Sequence, residues 1–417
     1  MKIIFANFFN FFLFSDLRYN KLATLPPELG NLVSLKKLFI RWNKLTSIPD
    51  NISALTELVI FSARNNRLSV ITPNIGSLTN LIELDLQHNK IAQLPPLGQL
   101  SKLEILDLQF NRIVSLPDDL ATITTLQGLH VRYNQLKSIQ PEILLNLRNL
   151  RELDFEGNRL TEIPAEIGNL VELKKLYLSR NKIQQLPKEF GNLSALEELY
   201  IDDNLLNDIG SIVPLSKLEV LNISNNQLTI IPPSIVQLKS LKDFYAGSNQ
   251  ITEVTPEFGE LKTLIHIDLN DNKLKALPAE IGSLKNLRVL NLEGNQLKKL
   301  PDEIGKVTTL QTLQLGFNQL TSITSEIGNL LILKELNLDE NRLLTIPREV
   351  GSCSCLEVLS FSENEINDLP NELYQLDQLR LFGMDDNPLS AIPAKVTDGG
   401  SQAVFNYLGE RLKQQQQ

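Results

Sequence analysis

The chain is poor in the residues that build chemistry. Its 417 residues include two cysteines, Cys353 and Cys355, three histidines, two methionines and one tryptophan. One Cys-x-Cys pair falls short of the roughly four ligands of a structural zinc site, so the pair reads as two small core fillers. No G-x-x-x-x-G-K-[ST], H-E-x-x-H or G-x-S-x-G occurs, nor the kinase set of glycine loop, lysine and catalytic loop. Without a phosphate cradle, a metal helix or a nucleophile elbow, the chain reads as non-enzymatic and as needing no cofactor. Positive charge is also short, with 40 Lys and Arg against 49 Asp and Glu and a formal charge of -9. Such a balance offers no overall field to phosphate and argues against a nucleic-acid partner. Residues 1–14 form an apolar run shorter than the about 20 residues that span a bilayer, so no membrane span is expected.

What the chain has in abundance is one pattern. Asparagine recurs from Asn20, Asn43 and Asn66 to Asn387, 17 positions separated by 23 residues except for steps of 22 ending at Asn111 and Asn226 and one of 24 ending at Asn158. Around each runs L-x-x-L-x-L-x-x-N-x-L, as in Leu287-Arg-Val-Leu-Asn-Leu-Glu-Gly-Asn295-Gln-Leu297. This period and pattern predict an α/β leucine-rich-repeat solenoid of about 17 repeats with a parallel concave β-sheet. Leu290 and Leu292 alternate with Val289 and Asn291, a period of two that makes a short strand with its leucines inward. After Leu300-Pro301, Asp302 to Val307 predicts one or two turns of helix or 3₁₀-helix on the convex side. An inward asparagine can satisfy backbone groups of its own and the adjacent coil, so the Asn column reads as scaffold. His88, His130 and His266 fall in repeats 4, 6 and 12, too far apart to share a metal.

One elongated domain is expected: an N-terminal apolar segment or cap at 1–11, the repeat array at 12–393, a capping helix at 394–413 and a Gln tail at 414–417. Val404, Phe405, Leu408 and Leu412 fall on one face of that helix, with Ser401 as a potential N-cap. Asn7 and Asn10 interrupt the first apolar run and no Ala-x-Ala follows, which argues against a signal peptide. With only two cysteines the array lacks the disulfide caps usual in secreted repeat proteins, so a cytoplasmic location is expected. A monomer is expected as well.

Function must then lie in the variable letters. Positions six, four, two and one before each Asn, and one after it, point out of the concave sheet. In repeats 1 to 8 they hold 14 basic and 7 acidic residues, and in repeats 9 to 17 they hold 2 basic and 14 acidic. A bipolar protein-binding face is the expectation, since such fields steer and orient partners. Its basic end carries Arg18, Lys37, Arg41 and Arg64, opposed there only by Asp16, with Arg132 and Arg180 further on. Its acidic end carries Asp202, Asp203, Asp268, Asp271, Glu293, Asp339 and Glu340. Tyr19, Phe39, Trp42, Tyr133, Tyr177, Tyr200 and Tyr245 share the face, and exposed aromatics ringed by charge are typical anchors.

The form Leu277-Pro-Ala-Glu-Ile-Gly-Ser-Leu284 and the ending Asn387-Pro-Leu-Ser-Ala-Ile-Pro393 resemble the Shoc/Sur group of intracellular Ras-scaffold repeat proteins. That resemblance implies a non-catalytic signalling scaffold gathering a Ras-family GTPase and a type 1 protein phosphatase. The group's polar N-terminal segment and Lys/Arg-Val-x-Phe motif are missing here, so the phosphatase contact is not carried over. The alternative is a secreted or surface-displayed recognition protein, because bacterial pathogens use L-P-x-E-I-G-x-L repeats too.

Overall fold

The computed structural model describes residues 13–415, so the expected segment at 1–11 lies outside the described residues. Contacts group the chain into two compact units, Met1–Leu206 and Asn207–Gln417, where the sequence suggests one continuous array. The boundary falls in the shortened coil that ends at Asn226, whose convex segment shrinks to a three-residue turn at Gly210–Ile212.

Among the described residues the first unit holds nine three-residue strands, from Phe14–Asp16 to Glu198–Tyr200, each parallel to its neighbour in the chain. The second unit holds eight, from Val220–Asn222 to Leu381–Gly383, again parallel. Register follows the leucines: Leu84 lies opposite Leu106, and Leu290 opposite Leu313. Leu290 and Leu292 are fully buried while Val289 and Asn291 are half-buried, as a period of two requires. The Phe61/Ala63 and Phe244/Ala246 pairs that replace two leucines are buried without residual exposure, a large residue beside a small one conserving core volume.

The asparagines close each coil. Asn295 Nδ2 donates to the carbonyls of Leu269 and Leu292 at 2.9 and 3.0 Å, and its Oδ1 accepts from Leu274 N–H at 3.0 Å. One amide thus satisfies groups of two coils that would otherwise be buried unpaired. The residue before the Asn sits at positive φ, as at Trp42 (56°), Phe110 (54°) and Glu340 (50°), which turns the chain out of the strand.

The convex side shows five-residue 3₁₀ segments such as Asp302–Lys306, entered through Pro301 and closed by Val307 N–H on the Ile304 carbonyl at 3.0 Å. The 24-residue coil is the exception. Its extra residue converts the turn into a true α-helix, α1 (Pro141–Asn146), with Leu147 N–H reaching the Ile143 carbonyl. Glycine in these segments is a packing demand: a Cβ on Gly328 would stand 2.7 Å from the Glu349 carbonyl of the next coil.

In the second unit, α2 (Ala394–Thr397) and α3 (Gly400–Gln415) cover the last coil. Val404 and Leu408 are fully buried, the Phe405 ring lies 5.3 Å from that of Tyr374, and Arg411 bridges Asp368 at 2.7 Å. The helix continues into the glutamine run as far as Gln415.

Candidate protein-binding face

Outward side chains fall into rows, because every coil repeats the same offsets at a rise of about 4.8 Å. In the first unit the row before each Asn holds Tyr19, Trp42, Asn65, His88, Phe110, Tyr133, Gly157, Arg180 and Asp203. Tyr19 stacks on Trp42 with centroids 5.8 Å apart, His88 on Phe110 at 4.2 Å, and Phe110 on Tyr133 at 4.9 Å. All hold a left-handed φ, which glycine and asparagine adopt readily and a bulky L-residue only at a cost of about 1–2 kcal/mol. Tyr19 and Trp42 remain 73% and 46% exposed, so the rings are not core.

The basic cluster is less free than its letters suggest. Arg18 forms a bidentate pair with Asp16, Nη2 to Oδ2 at 2.6 Å and Nε to Oδ1 at 2.8 Å, and that hydrogen bond holds the Asp16 carboxyl below its usual range. Arg41 lies over the Phe39 ring at 4.6 Å and approaches Asp85 at 4.0 Å. Asp16 is therefore not its only opponent, and the linear count missed Asp85 because that residue comes from repeat 4. Buried Nε atoms of Arg41, Arg64 and Arg132 have no hydrogen-bond partner. Lys37 is exposed on the same sheet.

Beyond these, a second network forms. Arg132 bridges Glu156 at 3.3 Å, Tyr133 Oη donates to the same carboxylate at 3.0 Å, and Arg180 Nη1 donates to Tyr133 Oη at 2.6 Å while pairing with Asp203 at 3.4 Å. Tyr177 and Tyr200 stack at 5.3 Å, and burial followed by the nearby Glu198 charge pushes the Tyr177 phenol well up. Ser179 Oγ donates to Asp202 at 2.5 Å, whose carboxyl is raised by burial.

Two features lay hidden in the sequence. Asp85, Asp107, His130 and Asp154 occupy one row four residues before successive Asn, with Asp107 opposite His130 and His130 opposite Asp154. Burial, then the Asp85 and Asp154 charges, lifts the Asp107 carboxyl to about 7 against a Gln109 N–H hydrogen bond and Arg64. Burial lifts Asp154 to about 6 and lowers His130. The other feature is the row after each Asn: Lys21, Lys44, Arg67, Lys90 and Arg112, then past Gln135, Arg159 and Lys182. All seven are exposed, and none makes an ion pair among the described residues. The signal was a constant residue type at one offset, legible only once rows are separated rather than summed.

In the second unit the outward face is acidic. Glu293 is raised by partial burial and by Asp271, Asp268 and Asp339, and half-buried Glu340 is raised by desolvation and then by the charges of Glu363, Asp339 and Glu293. Asp339 accepts from Ser360 Oγ at 2.5 Å and Ser362 N–H at 2.6 Å. Among the described residues no cation bridges these acids. Tyr245 stands against His266, Oη to Nδ1 at 3.4 Å. No group of His, Cys, Asp or Glu among the described residues could hold a metal, and no helix there is long and apolar enough to cross a membrane. Cys353 is buried and Cys355 half-buried, both free.

These coils define a leucine-rich-repeat protein, and the chain belongs to that family. Residues 132–242 and 248–338 match the leucine-rich repeat region, and residues 101–160 and 332–389 match the leucine rich repeat. The fold is one generally without catalysis. A leucine-rich-repeat protein of Leptospira interrogans is similar over 89% of this chain and 96% of that one, at 33% identity and TM-score 0.84. The plant peptide hormone receptor RGFR1, solved with RGF2, is 29% identical over 87% of this chain and 68% of its own, TM-score 0.65. The repeat ectodomain of the Arabidopsis receptor kinase HAESA, in complex with an IDA peptide hormone, is 26% identical over 87% and 68%, TM-score 0.62. No curated protein matches the chain.

These matches correct two expectations. The resemblance to intracellular Ras scaffolds fails, because the similar structures are receptor ectodomains and surface proteins. The reason is physical: Pro301 opens a 3₁₀ turn, Ile304 fills the core and Gly328 clears a carbonyl, so L-P-x-E-I-G-x-L describes any tight 23-residue coil. The cytoplasmic assignment falls with it. The two cysteines form no disulfide, and the last coil is covered instead by α2 and α3.

Proposed function

We propose that the chain is a non-catalytic recognition protein, secreted or displayed at a cell surface, that binds a peptide or protein ligand through its outward strand face. The observation that carries this reading is the aromatic row of the first unit, where exposed Tyr19, Trp42, His88 and Phe110 and half-buried Tyr133 hold left-handed backbone without contributing to the core. Large rings kept at exposed positions that favour glycine are surplus to the fold, and aromatic and arginine side chains are the usual anchors of interfaces. Similarity to ectodomains solved with peptide hormones supports the same reading.

Binding to a display library of extracellular peptides and proteins tests it, with wild type compared against Arg41→Glu/Trp42→Ala and Asp339→Lys/Glu340→Lys. The expected result is ligands lost by one or both variants. Ligands bound equally by all three would remove the face from the account.

A further inference from the structure

The first unit carries two parallel rows that flank one floor. On one side stand Tyr19, Trp42, His88 and Phe110, interrupted by Asn65. On the other stand Lys21, Lys44, Arg67, Lys90 and Arg112, one per coil. The floor between them is the backbone of Asn43, Asn66, Asn89 and Asn111, whose side chains point into the core.

The rows are held rigidly. Lys44, Arg67, Lys90 and Arg112 each donate their N–H to a carbonyl of the preceding coil at 2.8 Å, and Trp42, His88 and Phe110 donate theirs to the following coil at 3.1, 2.9 and 2.8 Å. These amides are engaged, so a ligand here is recognised through side chains. The cationic heads stand at about 4.8 Å intervals and form no ion pair among the described residues. The corresponding row of the second unit reads Gln227, Gln250, Lys273, Gln296, Gln319, Arg342, Glu365 and Pro388, only two cations in eight, so the strip is not a requirement of the coil.

We infer that this channel is a subsite for an extended polypeptide segment in which acidic and apolar residues alternate. An extended chain sends successive side chains to opposite sides. Laid along the floor, it presents one set to the cations and the other to the aromatic edges. From Lys21 to Arg112 the strip runs roughly 19 Å, about six extended residues, three facing each way.

Other polyanions fit less well. Single-stranded nucleic acid binds by stacking bases on free ring faces, whereas Tyr19 and Trp42 cover each other, as do His88, Phe110 and Tyr133. A sulfated sugar chain satisfies the cations but offers no apolar side chains to the ridge. The inference rests on the proposed peptide or protein ligand and specifies its chemistry.

The sole tryptophan, Trp42, lies in the ridge and reports directly. Emission from the full chain is titrated with a peptide of about eight residues alternating Glu and Leu. The comparators are its Gln/Leu counterpart, a peptide with the same Glu and Leu in two blocks, a heparin fragment and oligothymidylate. The alternating peptide is expected to shift Trp42 emission and bind at least about tenfold more tightly than the other four. Lys44→Glu/Arg67→Glu/Lys90→Glu, all exposed and free of ion pairs, is expected to keep the wild-type circular dichroism and lose about tenfold in affinity or more. Lys275→Glu/Lys298→Glu/Lys299→Glu in the second unit is expected to change nothing. Equal binding of the block peptide, tighter binding of heparin or the oligonucleotide, or indifference to the row reversal overturns the inference. A library ligand that needs Arg41 and Trp42 but tolerates the row reversal overturns this subsite alone and leaves the proposed function standing.

Discussion

Replacing Asp107 by Asn should stabilise the first unit, by more above neutral pH than in mild acid. The native carboxyl titrates at about 7, against 3.8 for the model group. Between those values the folded chain keeps a proton that the unfolded chain has lost. The contribution is fully present below the unfolded value and disappears as pH rises through the folded one. Each unit of that window lowers stability by about 1.4 kcal/mol, so the loss by pH 8 is on the order of 4 kcal/mol, somewhat under half of it already incurred at pH 5. Asparagine reproduces the neutral form in shape: its oxygen can accept from Gln109 N–H, and its amide can face Gln87, which now donates to Asp107 Oδ2 at 2.9 Å. Urea unfolding followed by Trp42 emission, which reports the first unit, measures the effect at pH 5 and pH 8. The variant midpoint should exceed wild type modestly at pH 5 and by more at pH 8, giving a flatter pH profile. A variant destabilised equally at both values would refute the reasoning, because Asp107 would then be acting through its hydrogen bonds in the ionised form.

Further outcomes follow from the packing. Asn295→Ala removes a donor to Leu269 and Leu292 and the acceptor for Leu274 N–H, which should cost about 2–4 kcal/mol, read as a lowered urea midpoint. Gly328→Ala should destabilise by about 1–3 kcal/mol, whereas alanine at Gly76, where the nearest atom would be 3.7 Å away, should be nearly neutral. Leu408→Ala on the buried side of α3 should cost about 2–5 kcal/mol and speed proteolysis of the C-terminal helices before the rest of the second unit opens.

The fold was legible because its determinants repeat. Leu290, Leu292 and Asn295 do in one coil what their counterparts do in the others, and a spacing error of a single residue marked each structural exception: α1 in the long coil and the unit boundary in a short one. The face was legible only in outline. Summed charge predicted a basic stretch, but whether a cation is free depends on a neighbour two coils away, as with Arg41 and Asp85 or Arg180 and Tyr133. Burial of Asp107 and Asp154 was likewise invisible, since an aspartate at an outward offset reads as solvated until the flanking rows close over it. The partner was not legible in L-P-x-E-I-G-x-L at all, because those letters answer to the coil.

The central claim is that ligand meets the outward strand face, and photo-crosslinking measures it most directly. A photoreactive amino acid is placed at Trp42 on that face or at Leu145, which is 42% exposed on α1, and each protein is irradiated with a ligand recovered from the library. The account predicts crosslinks from position 42 and none from position 145. Crosslinking from position 145 with none from position 42 would contradict it.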